Sequence, residues 1–152
     1  MSFIEPNLTV GISCLKQLNA DRNPLCGSLT PIGMVEHLTD SLNMASGNPK
    51  EIIEVPEKYW KKMLEILNSD KPFPKNFKAN FAPENRTIRN KNIDDAIIEL
   101  QKAWVHYEKV FLNEPNLITN HPNYGPLNRI QWDRILSKHL THHFNQFSII
   151  FD

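Results

Sequence analysis

Six histidines stand in this chain of 152 residues, and His139, His142 and His143 fall close together near its C-terminal end. On a helix, at about 100° per residue, His143 lies about 40° from His139 and roughly 6 Å further along the axis. His142 lies about 60° to the other side of His139, and Gln146 about 20°. An HXXXH pair of this kind directs two imidazoles at one divalent cation. The same face carries Leu136, Leu140 and Phe147, so it points inward, where each unpartnered imidazole nitrogen costs free energy. Metal coordination offsets that cost. The alternative places His142 and His143 at the core rim, bonded to water or a backbone carbonyl.

His37 is a third candidate ligand, near Ser41 and Met44 on the edge of an apolar stripe. With the HXXXH pair it makes a three-nitrogen set that leaves one coordination position open for water or substrate. Asp40, about one turn later, reads as an orienting acceptor for an imidazole or as a solvated carboxylate. His106 shares a polar face with Glu99, Lys102 and Lys109, and reads as solvent-facing. His121 stands before Pro122 in a turn-rich segment and can line a pocket mouth, while Glu36 and Glu108 read as exposed helix charges. Leu140 occupies the position where HEXXH chemistry needs glutamate, which excludes a thermolysin-like mechanism. The sequence places neither Cys14 nor Cys26 near a histidine; Cys26, beside Gly27, reads as the less buried of the two.

Positioning these side chains falls to helices. A first helix is expected over roughly Leu8 to Leu18, with Leu8, Ile12, Leu15 and Leu18 on one face and Gly11 weakening it. A second begins at the N-cap Thr30 with Pro31 in its first turn, carries Met34, Leu38, Leu42 and Ala45 inward, and stops at Gly47. A short helix from Pro56 to Leu67 turns Tyr59, Met63, Ile66 and Leu67 to the core. Lys71 to Asn92, with Pro72, Pro74 and Pro83, reads as a long loop pinned by Phe73, Phe77 and Phe81. Asn92 caps a helix whose Ile93, Ile97, Leu100, Trp104, Tyr107 and Phe111 form a narrow seam, ended by Glu114-Pro115. Asn128 caps a final helix of about 20 residues with Trp132, Ile135, Leu136, Leu140, Phe147 and Ile150 as its apolar face. No segment requires a strand. The expectation is an all-α four-helix bundle with one extra short helix and a long loop, in a single domain over residues 1–152.

The 17 basic and 17 acidic side chains balance, which excludes a general nucleic-acid or acidic-membrane binder, since both need a basic excess. No run of about 18 apolar residues exists, so neither a membrane span nor export is expected. Two cysteines make no disulfide framework and fit reduced thiols in a cytoplasmic protein. Five glycines in no phosphate-loop or dinucleotide pattern set the nucleotide folds aside.

The stretch Leu29-Thr30-Pro31-Ile32-Gly33-Met34-Val35-Glu36-His37-Leu38, with His139-Leu140-Thr141-His142-His143-Phe144-Asn145-Gln146, resembles the DinB/YfiT-like superfamily. His121-Pro122-Asn123-Tyr124-Gly125-Pro126-Leu127-Asn128, followed by Trp132, is similar to one branch of it. These motifs cover about residues 29 to 47 and 120 to 147. The resemblance implies an up-down-down-up bundle, often a homodimer, with a divalent metal on three histidines that map to His37, His139 and His143. His142 falls at a position not usually a ligand, and the Lys71 to Asn92 insertion departs from compact members. Thiol-dependent transferases, isomerases and hydrolases are among such relatives. The expected function is therefore a divalent-metal-dependent enzyme of hydrolase or transferase type, with Zn²⁺ or Ni²⁺ in an open site. His142, Gln146 and His121 are its polar pocket contacts. Two positive charges on neutral imidazoles favour a small anionic or thiol substrate. The competing reading is a non-catalytic helical module whose histidines serve structure.

Overall fold

A computed structural model describes residues 2–75 and 85–151. Among them are five α-helices, one short 3₁₀ turn and a two-stranded hairpin.

Helix α1 spans Leu8–Leu15, with the Asn7 side chain accepting a hydrogen bond from the Val10 N–H. It ends before the expected Leu18, which is nevertheless buried. Gly11 has a packing reason: a Cβ there would lie 2.9 Å from the Trp104 ring. Helix α2 spans Pro31–Ala45. Thr30 Oγ1 accepts from the Gly33 N–H, and Pro31 sits where no intrahelical donor is needed. Met34, Leu38, Leu42 and Ala45 are buried as their spacing predicts.

A 3₁₀ turn at Glu57–Tyr59 leads into α3, Trp60–Asn68. Only Leu67 is fully buried here; Tyr59 and Ile66, expected inward, are exposed. The reason is that α3 is gripped by its C-terminal end. Lys138 Nζ donates to the Ile66 carbonyl at 3.1 Å, and Arg134 donates to the Leu67 and Ser69 carbonyls, cations meeting the negative end of a helix.

Helix α4, Ile93–Asn113, starts on the Asn92 cap with Asp94 and Asp95 in its first turn. Its seam from Ile97 to Phe111 is buried, Ile93 partly so, and each large apolar side chain there contributes about 1.5–3 kcal/mol. It packs along α2 and against α1.

Strands β1, Thr119–His121, and β2, Gly125–Leu127, form an antiparallel hairpin where no strand was expected. Three-residue strands are too short to display alternation. Gly125 has φ +86°, and a Cβ there would meet the Trp60 ring at 3.1 Å, so a side chain is excluded twice. Thr119 Oγ1 donates to the Ala45 carbonyl, tying the hairpin to the end of α2.

Helix α5, Arg129–Gln146, opens on a capping box of Asn128 and Gln131. Ile150, assigned to the apolar face, is exposed. Helical phase stops at Gln146, and Ser148 at φ 55° turns the chain so that Ile149 is buried instead.

Of the aromatic pins of the long loop, Phe73 packs on the core, while Phe77 and Phe81 lie outside the described residues. The far end of the loop is fastened by Glu36. This residue, read as an exposed helix charge, is fully buried. Its carboxylate accepts from the Arg89 and Asn90 N–H groups and from Asn90 Nδ2. The guanidiniums of Arg86 and Arg89 lie 3.8 Å away. No described helix is long and apolar enough to cross a membrane.

Candidate metal centre

Helix α2 presents His37, and α5 presents His139 and His143 one turn apart. One ring nitrogen from each lies within 4.8 Å of the others. His37 Nε2 and His139 Nε2 are 2.8 Å apart, and the three ring centroids are separated by 4.6 to 5.0 Å. Zinc–imidazole bonds of about 2.0–2.1 Å in a tetrahedral site imply nitrogens about 3.3 Å apart. The observed separations bracket that value, so the residues fit a single ion with small ring movements.

Gln146 fixes the protonation of His143. Its amide Nε2 donates to the Cys26 carbonyl at 2.8 Å, so its Oε1 accepts from His143 Nδ1–H at 2.7 Å. His143 Nε2 then carries the lone pair a metal needs. The Leu25 N–H donates to the Gln146 backbone carbonyl at 2.7 Å, so the loop before α2 is held to the end of α5 twice.

Burial pushes His139 and His143 well below the ordinary imidazole range, and their histidine neighbours push further in the same direction. Both rings are neutral at pH 7, the state in which imidazole ligates.

His142 flanks the set, half-buried, with its ring 4.8 Å from that of His143. His121 is buried in the hairpin against the Tyr124 and Trp132 rings and accepts from the Asn123 N–H. Burial lowers its pKa to about 4. Asp40, half-exposed, pairs with Arg86 and Arg89 of the returning loop. His106 is exposed, as its polar helix face predicts. Cys26 contributes its backbone carbonyl and not its thiol, and Cys14 is buried elsewhere.

Phe73, expected to pin the loop to the core, brings its ring to 6.0 Å from that of His139. The buried Glu36, next to a candidate ligand in the chain, carries no local signal of its burial. Comparison with protein-family models, curated proteins and solved structures found no match.

Proposed function

We propose that the chain is a divalent-metal-dependent enzyme of hydrolase or thiol-dependent transferase type. His37, His139 and His143 would hold the ion, zinc or nickel, and a small anionic or thiol compound would be the substrate. One observation carries this reading: three imidazoles from two helices converge within 4.8 Å in a partly buried site. Imidazole nitrogens so close together find their best partner in a cation. Such an ion supplies Lewis acidity and lowers the pKa of a water or thiol in its open position. The chain's own groups do the positioning. Gln146 keeps the proton of His143 on Nδ1. His142, half-buried beside His143, offers a ring nitrogen to a polar group of the substrate.

We also propose the DinB/YfiT-like four-helix bundle as the architecture, with α1, α2, α4 and α5 as its members and α3 as the addition. The packing of α2 on α4 and α5, and of α1 on α4, supports this.

Metal analysis of protein purified without a histidine tag tests the reading. About one equivalent per chain is expected, lost in the double variant His139→Ala, His143→Ala. Metal far below one equivalent after loading, with unchanged thermal stability in that variant, overturns it.

The non-catalytic reading has one observation in its favour. The 2.8 Å between His37 Nε2 and His139 Nε2 is also a hydrogen-bond distance, which pairs the two rings without an ion. Under that reading His139→Ala destabilises chelator-treated and metal-loaded protein equally.

A further inference from the structure

The extended segment ahead of α1 crosses the back of α5. Ile4 is gripped there through both of its backbone groups. Its N–H donates to Thr141 Oγ1 at 2.8 Å, and its carbonyl accepts from Ser137 Oγ at 2.6 Å. Thr141 Oγ1 spends its own proton on the Ser137 carbonyl at 2.9 Å, which leaves its lone pairs for the segment. The Ile4 side chain joins the core at 5 % exposure. Before it, the Phe3 ring centre lies 4.9 Å from the Arg134 guanidinium and 5.3 Å from Lys138 Nζ. Arg134, Ser137, Lys138 and Thr141 share one face of α5, at i, i+3, i+4 and i+7. Ser137 and Thr141 stand about 160° round the helix from His139, so this face turns away from the histidines and owes nothing to the metal reading.

We propose that this face of α5 is a binding site for an extended peptide segment of a partner chain, an aromatic residue followed by an aliphatic one. Residues 3 and 4 are its resident competitor. The two hydroxyls offer one residue of a ligand what a strand edge offers, a donor and an acceptor for its main chain. The aliphatic socket and the paired cations then choose the side chains. The site is set up in advance, because Arg134 and Lys138 are also held by carbonyls at the end of α3. The resident is held at fewer points. Among the described residues its hydrogen bonds all fall on Ile4, and Ser2 and Glu5 on either side of the pair are exposed. A segment fastened at a single residue opens locally without unfolding the helices behind it.

The probe is a fluorescent peptide copying Ser2 to Pro6, followed by anisotropy. In Ile4→Ala the resident loses its anchor, and saturable binding is expected. The unsubstituted chain should bind the same peptide at least about tenfold more weakly, because its site is open less than about a tenth of the time. Adding Ser137→Ala to Ile4→Ala should weaken the peptide about fivefold, the worth of one hydrogen bond. A peptide with its Phe and Ile exchanged should bind at least about tenfold more weakly, since the larger ring overfills the aliphatic socket. A second measurement does without the Ile4→Ala variant. In the unsubstituted chain, peptide titrated to about 10 mM exceeds the roughly millimolar effective concentration of a tethered segment, and should shift the Ile4 amide resonance as its bond to Thr141 is lost. Absence of saturable binding to folded Ile4→Ala overturns the site, as does equal affinity for the exchanged peptide or in the Ser137→Ala background. An Ile4 resonance that stays in place through the titration also overturns it, and marks residues 3 and 4 as a fixed strut of the fold.

Discussion

Replacing Gln146 by leucine probes the link between packing and ligation. The amide accepts from His143 Nδ1–H at 2.7 Å and donates to the Cys26 carbonyl at 2.8 Å. Gln146→Leu keeps a similar volume and helix propensity but removes both bonds. The His143 ring is buried, so its stranded N–H costs about 1–3 kcal/mol. Cys26 is only partly buried, and its carbonyl turns to water at little cost. A net loss of about 2 kcal/mol lowers Tm by roughly 4–8 °C in a chain of this size. Loss of the outer partner of a ligating imidazole should also weaken metal binding about 10- to 100-fold. Gln146→Glu separates the two effects. Its carboxylate still accepts from Nδ1–H but has no donor for Cys26, so metal affinity stays within about threefold of the unsubstituted chain. Chelator competition measures affinity, and thermal denaturation of the metal-free protein measures stability. Wild-type metal affinity in Gln146→Leu, or equal losses in the leucine and glutamate variants, would refute the idea that Gln146 holds the tautomer.

Glu36→Ala strands the Arg89 and Asn90 donors beside two guanidiniums and should cost about 3–5 kcal/mol in urea unfolding. Asp40→Ala, at a carboxylate 45 % exposed, should cost under about 1 kcal/mol; the reverse order would show that Glu36 is not the anchor. Burial depresses the pKa of His121 to about 4 against about 6.5 unfolded, so the unfolded chain binds more protons in between. Stability is therefore full above pH 6.5 and falls by about 3 kcal/mol toward pH 4, with His139 and His143 adding the same sign; urea midpoints unchanged from pH 7 to 4.5 would contradict this. Gly11→Ala sets a methyl 2.9 Å from the Trp104 ring. Overpacking of about 1–3 kcal/mol should outweigh the roughly 1 kcal/mol gain in helix propensity, and a higher Tm in this variant would count against the packing argument.

Helices α2, α4 and α5 were legible because their starts are local chemistry. Thr30, Asn92 and Asn128 each accept from an N–H three residues on, and periodicity then dictates the inward face. The convergence of His139 and His143 was legible for the same reason, since helical phase fixes their angle. What stayed hidden depends on distant segments meeting. Glu36 looks like surface until the chain returns to it more than fifty residues later. Gln146 could be put on the right face, but its partner Cys26, 120 residues earlier, could not be read from spacing. The exposure of Tyr59 and Ile66 likewise follows from Arg134 and Lys138 seizing the end of α3, which the pattern of α3 does not encode.

His37 and His139 are separated by 102 positions yet touch at 2.8 Å. During synthesis at about 5–20 residues per second, His37 emerges several seconds before either partner on α5 exists. Throughout that interval the nascent chain offers a passing cation one imidazole, a weak and unselective ligand. The three-nitrogen set comes into being only when α5 docks. Were an ion bound, its loading would wait until α5 had docked on α2, and α5 would time the uptake.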